Sequence, residues 1–154
     1  MLAALVCSVV MVSSALASAW PGPPRGGPPG LRQLGPPAAW LETAAQSRWM
    51  AYSSYCWSAP RASTRTAVCA DMAPPQSRED LPSLAVRRGA VVRIHLSFAP
   101  REAHVTLFRA LSFKHYVLRP QRVLVWRAAG DGVLSVDVRA AAGSVAYLLR
   151  LTSP

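Results

Sequence analysis

The chain has 154 residues, enough for one ordinary domain. Hydrophobic residues make up 51% and charged residues 16%, which excludes a fully disordered chain, although 14 Pro and 9 Gly predict at least one stretch without regular structure. Seventeen basic and 7 acidic side chains give a net charge of +10, which favours anionic partners.

The N-terminal residues 1–19 have the composition of a secretory signal peptide. An uncharged, apolar run follows Met1 and ends in the A-x-A pattern of residues 17–19, directly before Trp20. We predict export and cleavage at this point. The alternative is an uncleaved anchor, which would be the one transmembrane span of the chain.

Residues 20–46 are rich in Pro and Gly, which remove backbone donors, restrict φ or raise chain entropy. This composition predicts a linker, and a polyproline II ligand for a partner domain is the alternative interpretation. Good helix formers such as Leu41, Glu42 and Ala44 predict a short helix at the end of the linker.

Alternating apolar and polar residues fill residues 47–154, which we interpret as one β domain. In residues 90–98, Val92, Ile94 and Leu96 share one face, and polar side chains occupy the other. Further strands are predicted at residues 49–57, 103–108, 115–118, 122–127, 132–139 and 144–151.

About six to eight antiparallel strands of this spacing predict an immunoglobulin-like β-sandwich, with a small β-barrel as the alternative. Strict alternation places Tyr52 and Trp57 on opposite faces of their strand, and Ser135 in water. The GDG sequence at Gly130–Gly132 is interpreted as a hairpin turn.

Two cysteines, Cys56 and Cys69, remain after the leader with its Cys7 is set aside. In an exported protein they predict a disulfide, and two separate buried thiols are the alternative. A zinc site is disfavoured because no paired CxxC or histidine stands at ligand spacing.

The two cysteine motifs also resemble a known group of proteins. SYCW at Ser54–Trp57 and VCAD at Val68–Asp71, followed by Pro74 and Pro75, are similar to small exported proteins of Gram-positive bacteria of uncharacterised function. The resemblance covers about residues 52–151. It implies an immunoglobulin-like exported domain and no catalytic residue.

Few residues suit acid–base or metal chemistry. The three histidines are His95, which we expect to be solvated, and His104 and His115, which lack a third metal ligand in the sequence. No nucleophile elbow, HExxH or phosphate-binding glycine loop occurs. We therefore predict no enzyme, no metal and no cofactor.

Binding residues are predicted from clustered arginines and from aromatic residues beside the disulfide. The alternatives are an ordinary solvated basic surface for the arginines and packing in the core for the aromatic rings. Basic clusters recognise phosphate or carboxylate groups, and exposed rings can stack on a ligand. The candidates are Arg87, Arg88, Arg119, Arg122, Arg127, Tyr55 and Trp57.

These observations predict an exported, non-catalytic interaction module at the cell envelope. Its expected partner is an anionic envelope polymer, a lipid head group or an acidic envelope protein; no nucleic-acid motif is present. The alternatives are a structural accessory domain of an envelope complex and a hydrolase with a nonstandard site.

Overall fold

The structure is a computed structural model that describes residues 19–29, 35–61 and 64–154. The predicted signal peptide lies outside the described residues apart from Ala19, so its cleavage stays a prediction. Within these ranges eleven strands and one 3-10 turn (Pro75–Ser77) are present, and no α-helix occurs. The strands are β1 (Ala39–Glu42), β2 (Ser47–Trp49), β3 (Ala51–Arg61), β4 (Thr64–Ala70), β5 (Ser83–Ala85), β6 (Val91–Leu96), β7 (Pro100–Arg109), β8 (Ser112–Leu118), β9 (Val123–Arg127), β10 (Gly132–Ala140) and β11 (Gly143–Thr152).

The strands form two layers. One sheet has the order β2-β1-β6-β9, and the other has the order β4-β3-β11-β10-β7-β8, with β5 added in parallel beside the end of β11. All other pairings are antiparallel. The predicted all-β sandwich is therefore confirmed, and the barrel alternative is wrong because the two sheets remain separate.

The core lies between the two sheets, and the alternation in the sequence explains which side chains enter it. On β6, Val92, Ile94 and Leu96 are buried and the residues between them are half-buried. The facing sheet contributes the apolar face of its long central strands. Its buried residues include Val105, Leu107, Leu134, Val136, Val138, Val145, Tyr147, Leu149 and Leu151.

The predicted helix at the end of the linker is wrong, because these residues form the β1–β2 hairpin. Ala39 and Leu41 are fully buried and pack in the core, while Trp40 between them is only partly buried. This alternation suits a strand, so burial of one face overrides the local helix propensity. Thr43 closes the hairpin by a hydrogen bond from its N–H to the carbonyl of Gln46. The sandwich thus begins at Ala39, within the predicted linker, and has more strands than predicted.

The prediction that Tyr52 and Trp57 lie on opposite faces of their strand is wrong, because β3 is irregular. Tyr52 pairs with Tyr147 and Tyr55 pairs with Val145, so β3 has one residue more than β11 between these pairs. A β-bulge of this kind reverses the alternation beyond it. Tyr52 and Trp57 consequently both enter the core, not opposite faces.

Two further expectations are wrong. Ser135 is 3% exposed instead of lying in water, because it stands between Thr106 on β7 and the buried Leu148 on β11. The Gly130–Gly132 segment joins β9 of one sheet to β10 of the other, so it is a crossing between layers and not a hairpin turn.

Two buried tyrosines attach the end of the proline-rich stretch to the core. The Tyr52 hydroxyl donates to the carbonyl of Pro36 at 3.0 Å, and the Tyr147 hydroxyl donates to the carbonyl of Pro37. Burial raises the pKa of Tyr52 to about 12, and nearby Tyr55 adds to the shift. Burial, with a contribution from Tyr52, also raises the pKa of Tyr147 far above its usual range.

The edge strand β8 stays open to solvent. Leu111 in the preceding turn is fully exposed, and Phe113 and Val117 on the strand are mostly exposed. Lys114, the one lysine of the sequence, lies between them on the same strand. A lysine on an exposed edge discourages pairing with other strands.

Cys56 and Cys69 form the predicted disulfide, which joins directly opposite positions of β3 and β4. A disulfide indicates an oxidising, extracytoplasmic location. No helix in the described part of the chain is long and apolar enough to cross a membrane.

The disulfide is expected to stabilise the fold by closing the loop between Cys56 and Cys69. The double variant Cys56→Ser with Cys69→Ser should lose about 3 kcal/mol of unfolding free energy in the chain-entropy model. Urea unfolding of both proteins measures the loss, and thiol alkylation before and after reduction confirms the oxidised state. Equal unfolding midpoints would contradict this expectation.

Alkaline pH should destabilise the protein through the buried phenols. Because the folded-state pKa of Tyr52 is raised from 10.0 to about 12, its contribution is fully present below pH 10 and is lost as the pH rises towards 12. The loss amounts to about 2 to 3 kcal/mol. Urea unfolding between pH 8 and pH 11.5 should show this decline in unfolding free energy. In Tyr52→Phe the unfolding free energy should fall less steeply with pH. An equal dependence on pH in both proteins would contradict the raised pKa of Tyr52.

Candidate functional site

Four arginines lie on the segments that meet at one end of the sandwich, which we call the arginine end: Arg87, Arg88, Arg109 and Arg127. Arg87 lines a separate depression there, beside Trp20 and Gln46. Arg87 and Arg88 precede β6, whereas Arg109 ends β7 and Arg127 ends β9. The Nη2 atoms of Arg109 and Arg88 lie 3.0 and 3.4 Å from the point where a Cβ of Gly130 would stand. Two guanidinium groups therefore converge on one backbone position.

Backbone hydrogen bonds hold the two loops of the arginine end together. The N–H of Gly89 donates to the carbonyl of Ala128, and the N–H of Ala128 donates to the carbonyl of Ala90. Arg109 donates to the carbonyl of Ala129 at 2.6 Å, and Arg127 donates to the carbonyl of Gly89 at 3.3 Å. The arginines are therefore attached to a hydrogen-bonded frame.

A depression of about 490 Å³ opens between these loops. Arg88, Arg109 and Gly130 line it together with Asp131, whose carboxylate accepts a hydrogen bond from Ser153 at 2.7 Å. A guanidinium has five N–H donors, so the bond from Arg109 to the backbone leaves most of its donors for a ligand. The arrangement suits an anion bound between two guanidinium groups.

The structure separates the other two predicted arginines from this end. The carbonyl of Arg122 accepts a hydrogen bond from Leu96, at the end of β6 remote from Arg127. Arg119 follows β8, beside the beginning of β7, whereas Arg109 ends β7. The length of β9 separates Arg122 from Arg127, about 16 Å at about 3.3 Å per residue.

The two predicted aromatic candidates lie on β3. Trp57 is 6% exposed and packs edge-to-face on Phe98, with ring centroids 5.0 Å apart. Tyr55 is half-buried against the core, with its ring 6.4 Å from that of Tyr52. Trp57 therefore belongs to the core and contributes no exposed surface for stacking.

A buried carboxylate lies on the outer side of the smaller sheet. The side chain of Glu42 on β1 is 3% exposed, and its Oε1 lies 2.7 Å from Nε2 of His95 and 4.0 Å from Arg93 on the neighbouring strand β6. The ring of His95 stacks on Trp40, with centroids 3.8 Å apart. His95, expected to be solvated, is thus held between a carboxylate and an indole ring.

The remaining histidines meet on the larger sheet. Nδ1 of His104 on β7 lies 3.3 Å from Nε2 of His115 on β8, and Nδ1 of His115 lies 3.0 Å from the Thr106 hydroxyl. Asp137 is opposite His104 on β10. Partial desolvation raises its pKa, although a hydrogen bond from Ser135 and the two imidazoles oppose the shift.

No group of three or more His, Cys, Asp or Glu residues is placed to hold a metal ion within the described ranges. The histidine pair and the Glu42–His95 pair are the two arrangements of titratable groups that resemble acid–base machinery. His95 is engaged by Glu42 and Trp40, and the Glu42 carboxylate also accepts the backbone N–H of Gly22. These contacts suit a structural role.

Sequence reasoning missed Arg109, Gly130, Glu42 and Trp40. Arg109 and Gly130 join the arginine end through the sheet topology, which brings the end of β7 next to the β9–β10 crossing. The sequence predicts Glu42 as part of a helix, and its pairing with His95 depends on a contact with another strand that local composition does not indicate. The alternation of Ala39 and Leu41 with Trp40 was the one local signal for a strand there.

Comparisons with protein-family models, with curated proteins and with solved structures find no match to this chain. The disulfide and the β-rich fold agree with the resemblance of the cysteine motifs, but the relationship to exported proteins of Gram-positive bacteria stays a prediction. Any functional proposal therefore depends on the geometry described above.

Coupling between Glu42 and His95 can be measured by a double-mutant cycle. Glu42→Gln should lower the unfolding free energy by about 1.5 to 3 kcal/mol, the range for hydrogen bonds to charged groups. In a His95→Gln background the same change should cost less, because the partner is already absent. Fully additive losses in urea unfolding would show that the two side chains do not interact.

Proposed function

We propose that the protein is an exported, non-catalytic binding module of the cell envelope that recognises an anionic partner through the arginine end. The observation that carries this proposal is the convergence of the Arg88 and Arg109 guanidinium groups beside Gly130. Like charges repel, so an anion between them is favourable, and guanidinium groups bind phosphate and carboxylate oxygens with good geometry.

Three further features support the proposal. The net charge of +10 attracts anionic surfaces at long range. The Arg109 and Arg127 side chains already donate to carbonyls of the hydrogen-bonded frame, so these two side chains lose less conformational entropy when a ligand binds. The disulfide agrees with a protein that works outside the cytoplasm.

The expected partner carries repeated phosphate or carboxylate groups, as anionic envelope polymers, lipid head groups and acidic proteins do. These sources share the chemistry that the arginine end would recognise. Polyglycerol phosphate, vesicles containing phosphatidylglycerol and polyglutamate represent the three sources. The probe that binds most tightly at moderate salt identifies the class.

Replacing arginines at one end should test the site against a matched control. Arg88→Gln with Arg109→Gln should weaken binding of the best probe at least tenfold, because one charge-assisted contact contributes about 1.5 to 3 kcal/mol before screening by salt and about 1.4 kcal/mol corresponds to tenfold. Arg119→Gln with Arg122→Gln removes the same charge from the other end and should have a much smaller effect. Binding is measured by titration at two salt concentrations.

The outcomes of this experiment are distinct. Equal weakening by both double variants would show that total charge, not the arginine end, governs binding. The absence of binding to all three probes would overturn the proposal. Because Arg109 also holds the Ala129 carbonyl, urea unfolding must show that the variant is folded, and Arg88→Gln alone provides a milder test.

A further inference from the structure

The proline- and glycine-rich stretch that the sequence predicts to be a linker is packed on the domain over Trp20–Pro29, which we call the strap. The Trp20 ring covers the Arg93 guanidinium, with Cζ of Arg93 3.8 Å from the ring centroid. The backbone N–H of Gly22 donates to Oε2 of Glu42 at 3.3 Å. Trp49 donates from its indole N–H to the carbonyl of Gly26 at 3.2 Å.

The three side chains that bind the strap form a surface that we call the seat: Glu42, Trp49 and Arg93. They come from β1, β2 and β6, three neighbouring strands of the smaller sheet. Their contacts supply one acceptor and one donor to the strap backbone, and one cation to its aromatic ring. Proline-rich segments commonly dock on aromatic side chains, and Trp49 here also donates its indole N–H to a carbonyl of the strap.

Two glycines of the strap, four residues apart, have a backbone conformation that their contacts with the seat require. Gly22 and Gly26, whose backbone atoms bind the seat, have φ of +75° and +87°, which side chains rarely adopt. A Cβ at either position would meet nothing within 4 Å, so glycine is required by the backbone and not by lack of space. The recognised pattern is W-x-G-x-x-x-G within a proline-rich sequence.

A groove runs beside the strap. It has a volume of about 400 Å³ and lies between Pro24, Gly27 and Pro29 on one side and Arg48, Trp49 and Asp80 on the other. The strap therefore forms one wall of this groove. Release of the strap would remove that wall and expose the seat.

We propose that the seat is a binding site for a proline- and glycine-rich segment of the W-x-G-x-x-x-G type, filled by the chain's own strap and able to accept the strap of a second copy. The two occupants make the same contacts, so exchange between copies costs little apart from chain entropy. The covalent link gives the chain's own strap a millimolar effective concentration, which keeps the seat closed in the isolated protein.

None of the three residues of the seat belongs to the arginine end, although Trp20 of the strap and Arg87 line the same depression. Variants of Arg88 and Arg109 therefore test the arginine end without changing a contact of the strap. The seat also gives a role to a stretch that composition alone describes as a spacer. The proposal leads to complementary variants of the full chain. One has a weakened strap and an intact seat, and the other has an intact strap and a weakened seat.

Gly22→Ala with Gly26→Ala strains the strap without touching the seat. A labelled synthetic peptide of residues 20–29 should bind this variant at least tenfold more tightly than it binds the wild type, because the seat is open. Gly27→Ala, which has no positive φ and no neighbour within 4 Å, is the matched control and should behave as the wild type. Fluorescence anisotropy of the peptide measures binding.

Adding Trp49→Phe and Arg93→Gln to the strained variant should abolish peptide binding, because the indole donor and the cation are gone.

Exchange of straps between copies can be tested by mixing two variants. One has the strained strap and an intact seat, and the other has an intact strap with Trp49→Phe and Arg93→Gln in the seat. The mixture should form a heterodimer, whereas each variant alone stays monomeric. Analytical ultracentrifugation measures this. Failure of the strained, folded variant to bind the peptide would overturn the proposal.

Limited proteolysis provides an independent readout of strap release. Arg25 is exposed within the strap, and trypsin needs several flexible residues around its cleavage site. Cleavage after Arg25 should be several-fold faster in Gly22→Ala with Gly26→Ala than in Gly27→Ala. Equal cleavage rates would show that the strap is not held by the seat.

Discussion

The pairing of two buried phenols with two successive proline carbonyls determines where the sandwich begins. A buried hydroxyl needs an acceptor, and a proline has a carbonyl but no N–H, so it cannot take a full place in a β-ladder. The bonds from Tyr52 to Pro36 and from Tyr147 to Pro37 meet both requirements. They fix the chain just before β1, which places Ala39 and Leu41 in the core and turns Trp40 and Glu42 outwards.

The outward orientation of Glu42 affects contacts across the smaller sheet. Glu42 reaches His95 and Arg93 on β6 and a backbone N–H of the strap, so one carboxylate links two strands and the segment that covers them. The larger sheet is covered differently. There Leu81, Val133 and Leu148 form a second, smaller core on its outer side. Each sheet therefore has cover on both faces over part of its area.

Local periodicity predicted the strands that are regular, such as β6 and β10, because a period of two residues can be read from the sequence alone. Local periodicity does not predict structure that depends on contacts between distant residues. β1 forms a strand because the core buries Ala39 and Leu41. The bulge in β3 turns both Tyr52 and Trp57 inwards. The candidate site was predicted in part. Arg87, Arg88 and Arg127 lie at the same end of the sandwich, but Arg87 lines a separate depression beside Trp20. Arg109 and Gly130 reach this end only through the topology, which places Arg119 and Arg122 elsewhere.

The choice of arginine over lysine has a practical consequence. Sixteen of the 17 basic side chains are arginine, and a guanidinium keeps its proton at any pH at which the protein is folded. Lys114 on the β8 edge is the one side-chain amine. Apart from the terminal α-amine, amine-reactive dyes and resins will therefore couple at this strand alone. Coupling at Lys114 removes a single positive charge from the protein, which leaves the electrostatic field of the domain almost unaltered.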